Sequence, residues 1–262
     1  MNKTELFYTQ YSKKDRERIE HDINSSVRKA IKIKSALSVI KGHSIGCVID
    51  YGCGFGSTVR YLAENMQILS AYGFEYSMDA LNSAKECSNK AGVEFHKLPS
   101  LDAAENSKFI KTIVNMKVDY IMLNDVLEHV PDCVSLIRHL SQISNNFIIK
   151  LPMEKSFFDN ILIGKEYPGI NQCNGHLREF DANDVHYFIR KLGLTPLFEE
   201  VYVYMIDDAF PRYNRYSWKT RIVKNFKRLM SLILPKKIFL NLIGGGSYLC
   251  IAVFDESLIL NP

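Results

Sequence analysis

None of the six cysteines, Cys47, Cys53, Cys87, Cys133, Cys173 and Cys250, stands in a C-x-x-C pair or at a zinc-like spacing. That excludes a zinc finger or ribbon. In a chain of 262 residues it also speaks against a disulfide framework and for free thiols in a reducing compartment. No uninterrupted apolar run approaches the ~20 residues that a membrane-spanning helix requires. The first residues are polar and charged, without the apolar core of a secretory signal. Internal repeats and low-complexity linkers are missing too, which leaves one domain over residues 1–262 as the simplest expectation. With 47% hydrophobic and 24% charged residues the composition is that of an ordinary globular protein. A soluble, cytoplasmic protein is expected.

Acids are absent from one stretch. Between Arg212 and Lys237 stand nine Lys or Arg residues and no Asp or Glu. Without those nine, 24 bases face 29 acids, so the net +4 of the whole chain conceals a remainder of about −5. The positive charge belongs to this segment alone.

What is present is an alternation of strand-like and helix-like segments, the pattern of a mainly parallel α/β sheet. Short apolar runs predict strands at Gly46–Tyr51, Leu69–Glu75, Val93–His96, Val118–Leu123, Asn146–Leu151, Thr195–Tyr204 and Tyr248–Phe254. Val59, Leu62 and Met66 recur at helical spacing after the first strand. Before the sixth, Asp181 reads as an N-cap, Val185, Phe188, Ile189 and Leu192 as one face, and Gly193 as the stop. A helix over about 24–40 is expected to bury Val27, Ile31 and Leu37. The predicted divisions are an N-terminal cap at 1–43, a cofactor-binding core at 44–205, a basic helical insertion at 206–246, and the last strand with its tail at 247–262.

The first strand runs into Asp50-Tyr51-Gly52-Cys53-Gly54-Phe55-Gly56-Ser57, where a helix begins. Glycine there permits a sharp turn and a close approach of ligand to backbone, and the helix start offers free N–H groups. The spacing is G-x-G-x-G, with Ser57 where a dinucleotide fingerprint would place its third glycine. Asp50 beside the loop would repel a pyrophosphate but suits an ammonium or sulfonium. Glu75 ends the second strand 19 residues beyond Gly56, where an acid can accept hydrogen bonds from both hydroxyls of a ribose. A nucleoside with a cationic tail is the ligand these residues favour.

After the fourth strand comes Asn124-Asp125-Val126-Leu127-Glu128-His129-Val130-Pro131-Asp132, and later Gly175-His176-Leu177-Arg178-Glu179-Phe180. Together with the glycine loop and Gly73-Phe74-Glu75-Tyr76-Ser77, these stretches resemble the class I S-adenosylmethionine-dependent methyltransferases. The resemblance spans roughly residues 40–205 in the expected order. It implies a Rossmann-like, seven-stranded, mostly parallel sheet with helices on both faces and strand seven antiparallel between five and six. The basic insertion then lies between the last two strands. It implies S-adenosyl-L-methionine as cofactor, with Gly52, Gly54 and Gly56 under its methionine and ribose parts and Asp50 at the methionine amino group. Glu75 would hold the ribose hydroxyls, Tyr76 flank the adenine, and Asn124 offer backbone to the methionine end. One departure is that the acid usual after strand three is delayed to Asp102. Tyr8 and Tyr11 stand in the segment that often closes over the cofactor in this superfamily.

Methyl transfer from a sulfonium is an in-line displacement, and an oxygen acceptor benefits from a base that takes its proton. His129 and His176 are the candidate catalytic bases; the Glu128-His129 pair can equally serve as scaffold. No metal is assigned as such. Yet if 125–129 form a helical turn, Asp125, Glu128 and His129 share a face, and with His176 they make candidate divalent-metal ligands. Similar E-x-x-E-H arrangements occur in ubiquinone-biosynthesis and small-RNA methyltransferases.

Trp218, Ile222, Phe226, Met230 and Ile233 form the apolar stripe of a basic amphipathic helix that stops near Pro235. It reads as a lid packing that stripe on the domain, as a peripheral contact of residues 212–237 with an anionic membrane surface at its inner face, or as a binder of an anionic acceptor. Nucleic acid is disfavoured, since no binding module accompanies the single basic run. The leading expectation is O-methylation of a small-molecule or sugar/glycan acceptor. The alternatives are a nucleic-acid or protein methyltransferase, and a cofactor-binding scaffold subunit without activity.

Overall fold

Seven short apolar runs form seven strands of one sheet in the computed structural model, which describes residues 16–40, 44–87, 92–153, 176–182, 184–203 and 218–259. The strands are β1 (Ile45–Tyr51), β2 (Ile68–Glu75), β3 (Glu94–Lys97), β4 (Tyr120–Asn124), β5 (Asn146–Met153), β6 (Leu194–Val203) and β7 (Gly246–Phe254). They stand in the order β3-β2-β1-β4-β5-β7-β6. All neighbouring pairs are parallel except those of β7, which runs antiparallel between β5 and β6. The sheet is therefore the Rossmann-like one expected.

Eight helices surround it among the described residues: α1 (Arg16–Ile40), α2 (Ser57–Asn65), α3 (Met78–Glu86), α4 (Ala103–Ile113), α5 (Cys133–Ser141), α6 (Asp184–Lys191), α7 (Trp218–Ile233) and α8 (Lys236–Ile243). Buried Ala30, Ile33, Leu37, Val59, Leu62, Leu81 and Ala84 bring α1, α2 and α3 onto one face. Ile110, Leu136, Leu140, Val185, Ile189, Phe239 and Leu240 bring α4, α5, α6 and α8 onto the other. With both faces covered, the central strands need an apolar residue at nearly every position, and β4 and β5 carry one. Edge strand β6 instead alternates, and it absorbs Pro196 at an irregularity between Pro196 and Phe198, where a missing N–H breaks little.

Local chemistry sets the helix starts. Ser77, Asp102 and Asp132 each accept a backbone N–H three residues on, so Asp102 caps α4 at the position where the superfamily's adenine-side acid was delayed. Asp181 accepts from the N–H of Asp184, and Gly193 turns the chain at φ 74°, as its sequence position predicts.

Three expectations need correction. In α1, Ile31 is exposed; Ala30, Ile33, Ala36 and Leu37 make the buried side. A β-branched residue at 31 fits a helix anywhere, and only the neighbours decide which stripe faces inward. In α7 the apolar stripe is divided. Met230 packs against the core, but Phe226 and Ile233 are exposed, because α8 (an element the periodicity did not reveal) fills the space beside it with Phe239, Leu240 and Ile243. Third, residues 125–129 are not helical: Asp125 takes a left-handed φ of 56°.

Candidate functional site

Strand β1 is central to the site. Its neighbours β2 and β4 are reached by crossovers in opposite directions, and at such a switch point the carboxyl ends of the strands open a crevice. Asp50, Glu75 and Asn124 close β1, β2 and β4 at that edge.

The glycine loop is bound to the end of β2. The N–H groups of Gly52 and Cys53 donate to the Phe74 carbonyl at 2.7 and 3.1 Å. The Gly54 N–H donates to Glu75 Oε2 at 2.8 Å, and the Ser77 N–H to Glu75 Oε1 at 2.8 Å. Gly52 (φ 74°) and Gly56 (φ 70°) hold left-handed conformations where a Cβ would also strike Val126 and Phe95. At Gly54, by contrast, a Cβ would meet nothing within 4 Å, so the loop leaves open space at the residue whose N–H binds Glu75. Burial pushes the Glu75 carboxyl upward against the backbone donors that hold it ionised.

Asp50 is almost fully buried and accepts a hydrogen bond from Asn124 Nδ2 at 3.2 Å, which bridges β1 and β4. Burial pushes its carboxyl up to about 7, with Asn124 and Lys29 pulling the other way and Glu75 adding to the rise. Asn124 Oδ1 and Ser57 Oγ are buried and have no partner among the described residues. Acceptors at Glu75, an anion at Asp50 and unpartnered polar atoms at Asn124 and Ser57 suit a ligand with a diol and a cation. Tyr76 is half-buried against the core beside them.

Asp125 is engaged elsewhere. Its two oxygens accept from Lys150 Nζ of β5 and Lys29 Nζ of α1. Burial pushes the Asp125 carboxyl up, but the two ammonium groups outweigh it and hold the group well below the usual carboxylate range. Burial likewise pulls Lys150 down while Asp125 more than offsets it. The left-handed turn at Asp125 separates this carboxylate from the histidines, so the expected face of Asp125, Glu128 and His129 does not form.

The other three metal candidates do converge. One ligand atom each of Glu128, His129 and His176 lies within 4.8 Å of the others, and the two imidazoles meet edge-on at 4.8 Å between centroids. Glu128 is fully buried, and neither carboxylate oxygen has a hydrogen-bond partner among the described residues. Burial first, and Asp125 second, push its carboxyl up to about 8. The Leu177 N–H donates to the Glu128 carbonyl at 2.7 Å, which fixes His176 beside it.

Three residues of this site carried no assigned role in the sequence reading. Arg178 clamps the loop: its guanidinium donates to the carbonyls of Leu127, Val130 and Pro131 at 2.5, 2.5 and 3.0 Å. Lys150 is the lone charge in the apolar run of β5, and that isolation was the available signal. Lys29 had none, since a lysine on an N-terminal helix is ordinarily a solvated one. Tyr8, Tyr11 and residues 154–175 lie outside the described residues.

A seven-stranded sheet with a reversed seventh strand, a glycine loop bound to an acid at the end of β2, and a carboxylate at the end of β1 define a class I methyltransferase. A family model described as a methyltransferase domain matches residues 15–197, and the chain belongs to that family as an S-adenosylmethionine-dependent enzyme. No curated protein matches the chain in sequence. Among solved structures, the magnesium protoporphyrin IX methyltransferase of Synechocystis PCC 6803 with bound SAH is similar at 16% identity and a TM-score of 0.54, covering 96% of this chain and 95% of that one. The plantazolicin methyltransferase BamL, in complex with a triazolic desmethylPZN analog and SAH, is similar at 15% and 0.53, covering 96% and 95%. A complex of the Haloferax volcanii Trm112 methyltransferase activator with a methyltransferase gives 15% and 0.57, covering 95% and 98%. At these identities the likeness is one of fold.

Proposed function

We propose that this enzyme methylates an oxygen of a small-molecule or sugar/glycan acceptor held over the carboxyl edge of the sheet, with a histidine as general base. The observation that carries it is the buried Glu128 with His129 and His176 beside it, at the end of the strand next to the Asp50–Asn124 bridge. S-adenosylmethionine supplies a methyl group on a sulfonium. Glu75 accepts from the ribose hydroxyls, Asp50 faces the ammonium, the open backbone at Gly54 lies under the chain between them, and Tyr76 flanks the adenine. Gly52 and Gly56 keep the loop in the turn that leaves this space, and Asn124 holds Asp50 in place. His129 or His176 takes the acceptor's proton as the oxygen–methyl bond forms and the methyl–sulfur bond breaks, leaving a neutral thioether.

Substituting His129 and His176 in turn by alanine should lower kcat by roughly a hundredfold or more at the one that serves as base, with cofactor affinity unchanged. Wild-type kcat in both variants would remove the histidine base. For the acceptor, purified enzyme and labelled cofactor are incubated with fractionated cell extract. Label in lipid or polysaccharide is expected; label in RNA or protein, or none, would overturn the glycan reading. The named acceptors of the structural neighbours, a porphyrin and plantazolicin, are too different to choose among.

A second reading rests on the same cluster. A fully buried carboxylate without a partner among the described residues, next to two imidazoles, is also a ligand set for a divalent cation, without Asp125. Exhaustive chelation separates the two: activity that survives belongs to the base, activity lost and restored by added metal to the cation.

Cofactor binding should also depend on pH through Asp50. Its carboxyl titrates near 7, and below that it carries a proton that must leave before an ammonium can pair with it. Affinity is therefore expected to be roughly tenfold weaker at pH 6 than at pH 8, and to level off above. Calorimetry at the two pH values checks this, and Asp50→Asn should flatten the profile.

A further inference from the structure

Helix α7 presents to solvent what an isolated globular protein buries. Phe226, Leu229 and Ile233 recur at i, i+3 and i+7, and Leu232 stands beside them. Leu229, Leu232 and Ile233 are 55%, 70% and 64% exposed, and Ile238 at the start of α8 is exposed as well. Scattered apolar side chains on a surface need no explanation, but a contiguous row along one helix does. The row does not exist for want of a core to join. Met230, on the adjoining side of the same helix, and Leu234 just after it pack against the main core together with Phe239, Leu240 and Ile243 of α8. The helix thus has one apolar side spent on the fold and a second left over.

Charge selects the occupant. The segment from Arg212 to Lys237 has nine bases and no acid, while the rest of the chain is net negative. A second copy of this chain would bring the same basic segment against itself across an isologous contact, so like charges would oppose the apolar gain. A nucleic-acid backbone would use the bases but has nothing to offer four large apolar side chains. An anionic bilayer surface takes both, because its acyl boundary accepts the apolar row and its headgroups the bases. From these observations we infer that α7 and the start of α8 form a peripheral docking surface for an anionic lipid bilayer.

The position of the surface gives it a use. Tyr202 and Met153, near the carboxyl ends of β6 and β5, border Gly246, where an added Cβ would also meet Leu240 of α8. Helix α8 therefore approaches the same edge of the sheet that carries Asp50, Glu75 and Asn124. Docking through it presents the catalytic edge beside the membrane, where a lipid-linked acceptor would be found. This last consequence rests on the acceptor reading above; the docking itself does not.

The test uses the full chain and sedimentation with vesicles. The protein should partition onto phosphatidylglycerol–phosphatidylcholine vesicles in equal parts at low salt, release as salt rises, and bind phosphatidylcholine alone weakly. The double variant Leu229→Glu, Leu232→Glu should lose tenfold or more of that partitioning, roughly what withdrawing two apolar anchors and adding two anions would do. Both side chains are exposed, so S-adenosylmethionine affinity by calorimetry should be unchanged, which keeps a failure of docking distinct from a failure of the methyltransferase site. Wild-type protein that stays in the supernatant with anionic vesicles overturns the inference. So does a double variant that sediments as the wild type does, or a dimer in solution that the double variant abolishes while vesicle binding is absent.

Discussion

Glu75→Gln is expected to weaken S-adenosylmethionine binding by about a hundredfold or more. The carboxylate accepts from the Gly54 N–H and the Ser77 N–H, one on each oxygen. Glutamine keeps the shape but turns one of those oxygens into an NH2 group, which must face a backbone donor. One bond to the loop is lost and replaced by a contact between donors. In the proposed role of Glu75 the same change removes one acceptor from the ribose hydroxyls. Hydrogen bonds to a charged group contribute about 1.5–3 kcal/mol each, and each 1.4 kcal/mol is tenfold in affinity, so two such losses exceed a hundredfold. Titration calorimetry measures it, with a thermal melt to show that the sheet persists. A variant that binds within threefold of the wild type would remove Glu75 from the cofactor site.

Asp125→Asn should have the largest effect on stability. Lys150 is 2% exposed, and Asp125 is its counter-ion. Asparagine tolerates the left-handed backbone at this position nearly as well as aspartate, so the substitution isolates the charge. What remains is a buried ammonium that has lost its hydrogen-bonded carboxylate, and breaking such a pair from one side costs about 3–5 kcal/mol. The sign of the pH dependence gives a second readout. In the wild type the Asp125 carboxyl is held below its unfolded value, so its contribution is complete above about 4 and is lost as pH falls through the folded value. In the variant Lys150 loses the carboxylate that most offsets its burial, so its folded value drops and stability should climb as pH rises towards the alkaline range. Denaturant unfolding at several pH values tests both. A loss under about 1 kcal/mol, or a flat alkaline limb, would mean that Lys29 and Lys150 do not depend on Asp125.

The residues proposed to hold the cofactor come together at one edge of the sheet, and that grouping was legible because most of them are chain neighbours. Asp50, Gly52, Gly54 and Gly56 are within seven residues, and the backbone conformations that Gly52 and Gly56 adopt are ones only glycine takes without strain. Glu75 sits where a strand ends, and strand ends follow from apolar runs. The expectation failed where a helical repeat was assumed between Asp125 and His129. Periodicity has no power over a turn of five residues, and the lysines that hold Asp125 come from α1 and β5, remote in sequence. The same reason explains the division of α7. The spacing of its apolar residues was plain, but which of them α8 would cover depended on a packing partner that begins only after Pro235.

By itself, then, the sequence determined the sheet and the loop at its edge and pointed to a nucleoside with a cationic tail, because each follows from local backbone preference and residue chemistry. Only the tertiary structure decided that Glu128, His129 and His176 meet while Asp125 is withdrawn to two lysines. It also decided that one side of the basic helix stays uncovered. Contacts between distant segments are set by which surfaces exclude water together, and no window of sequence contains both partners.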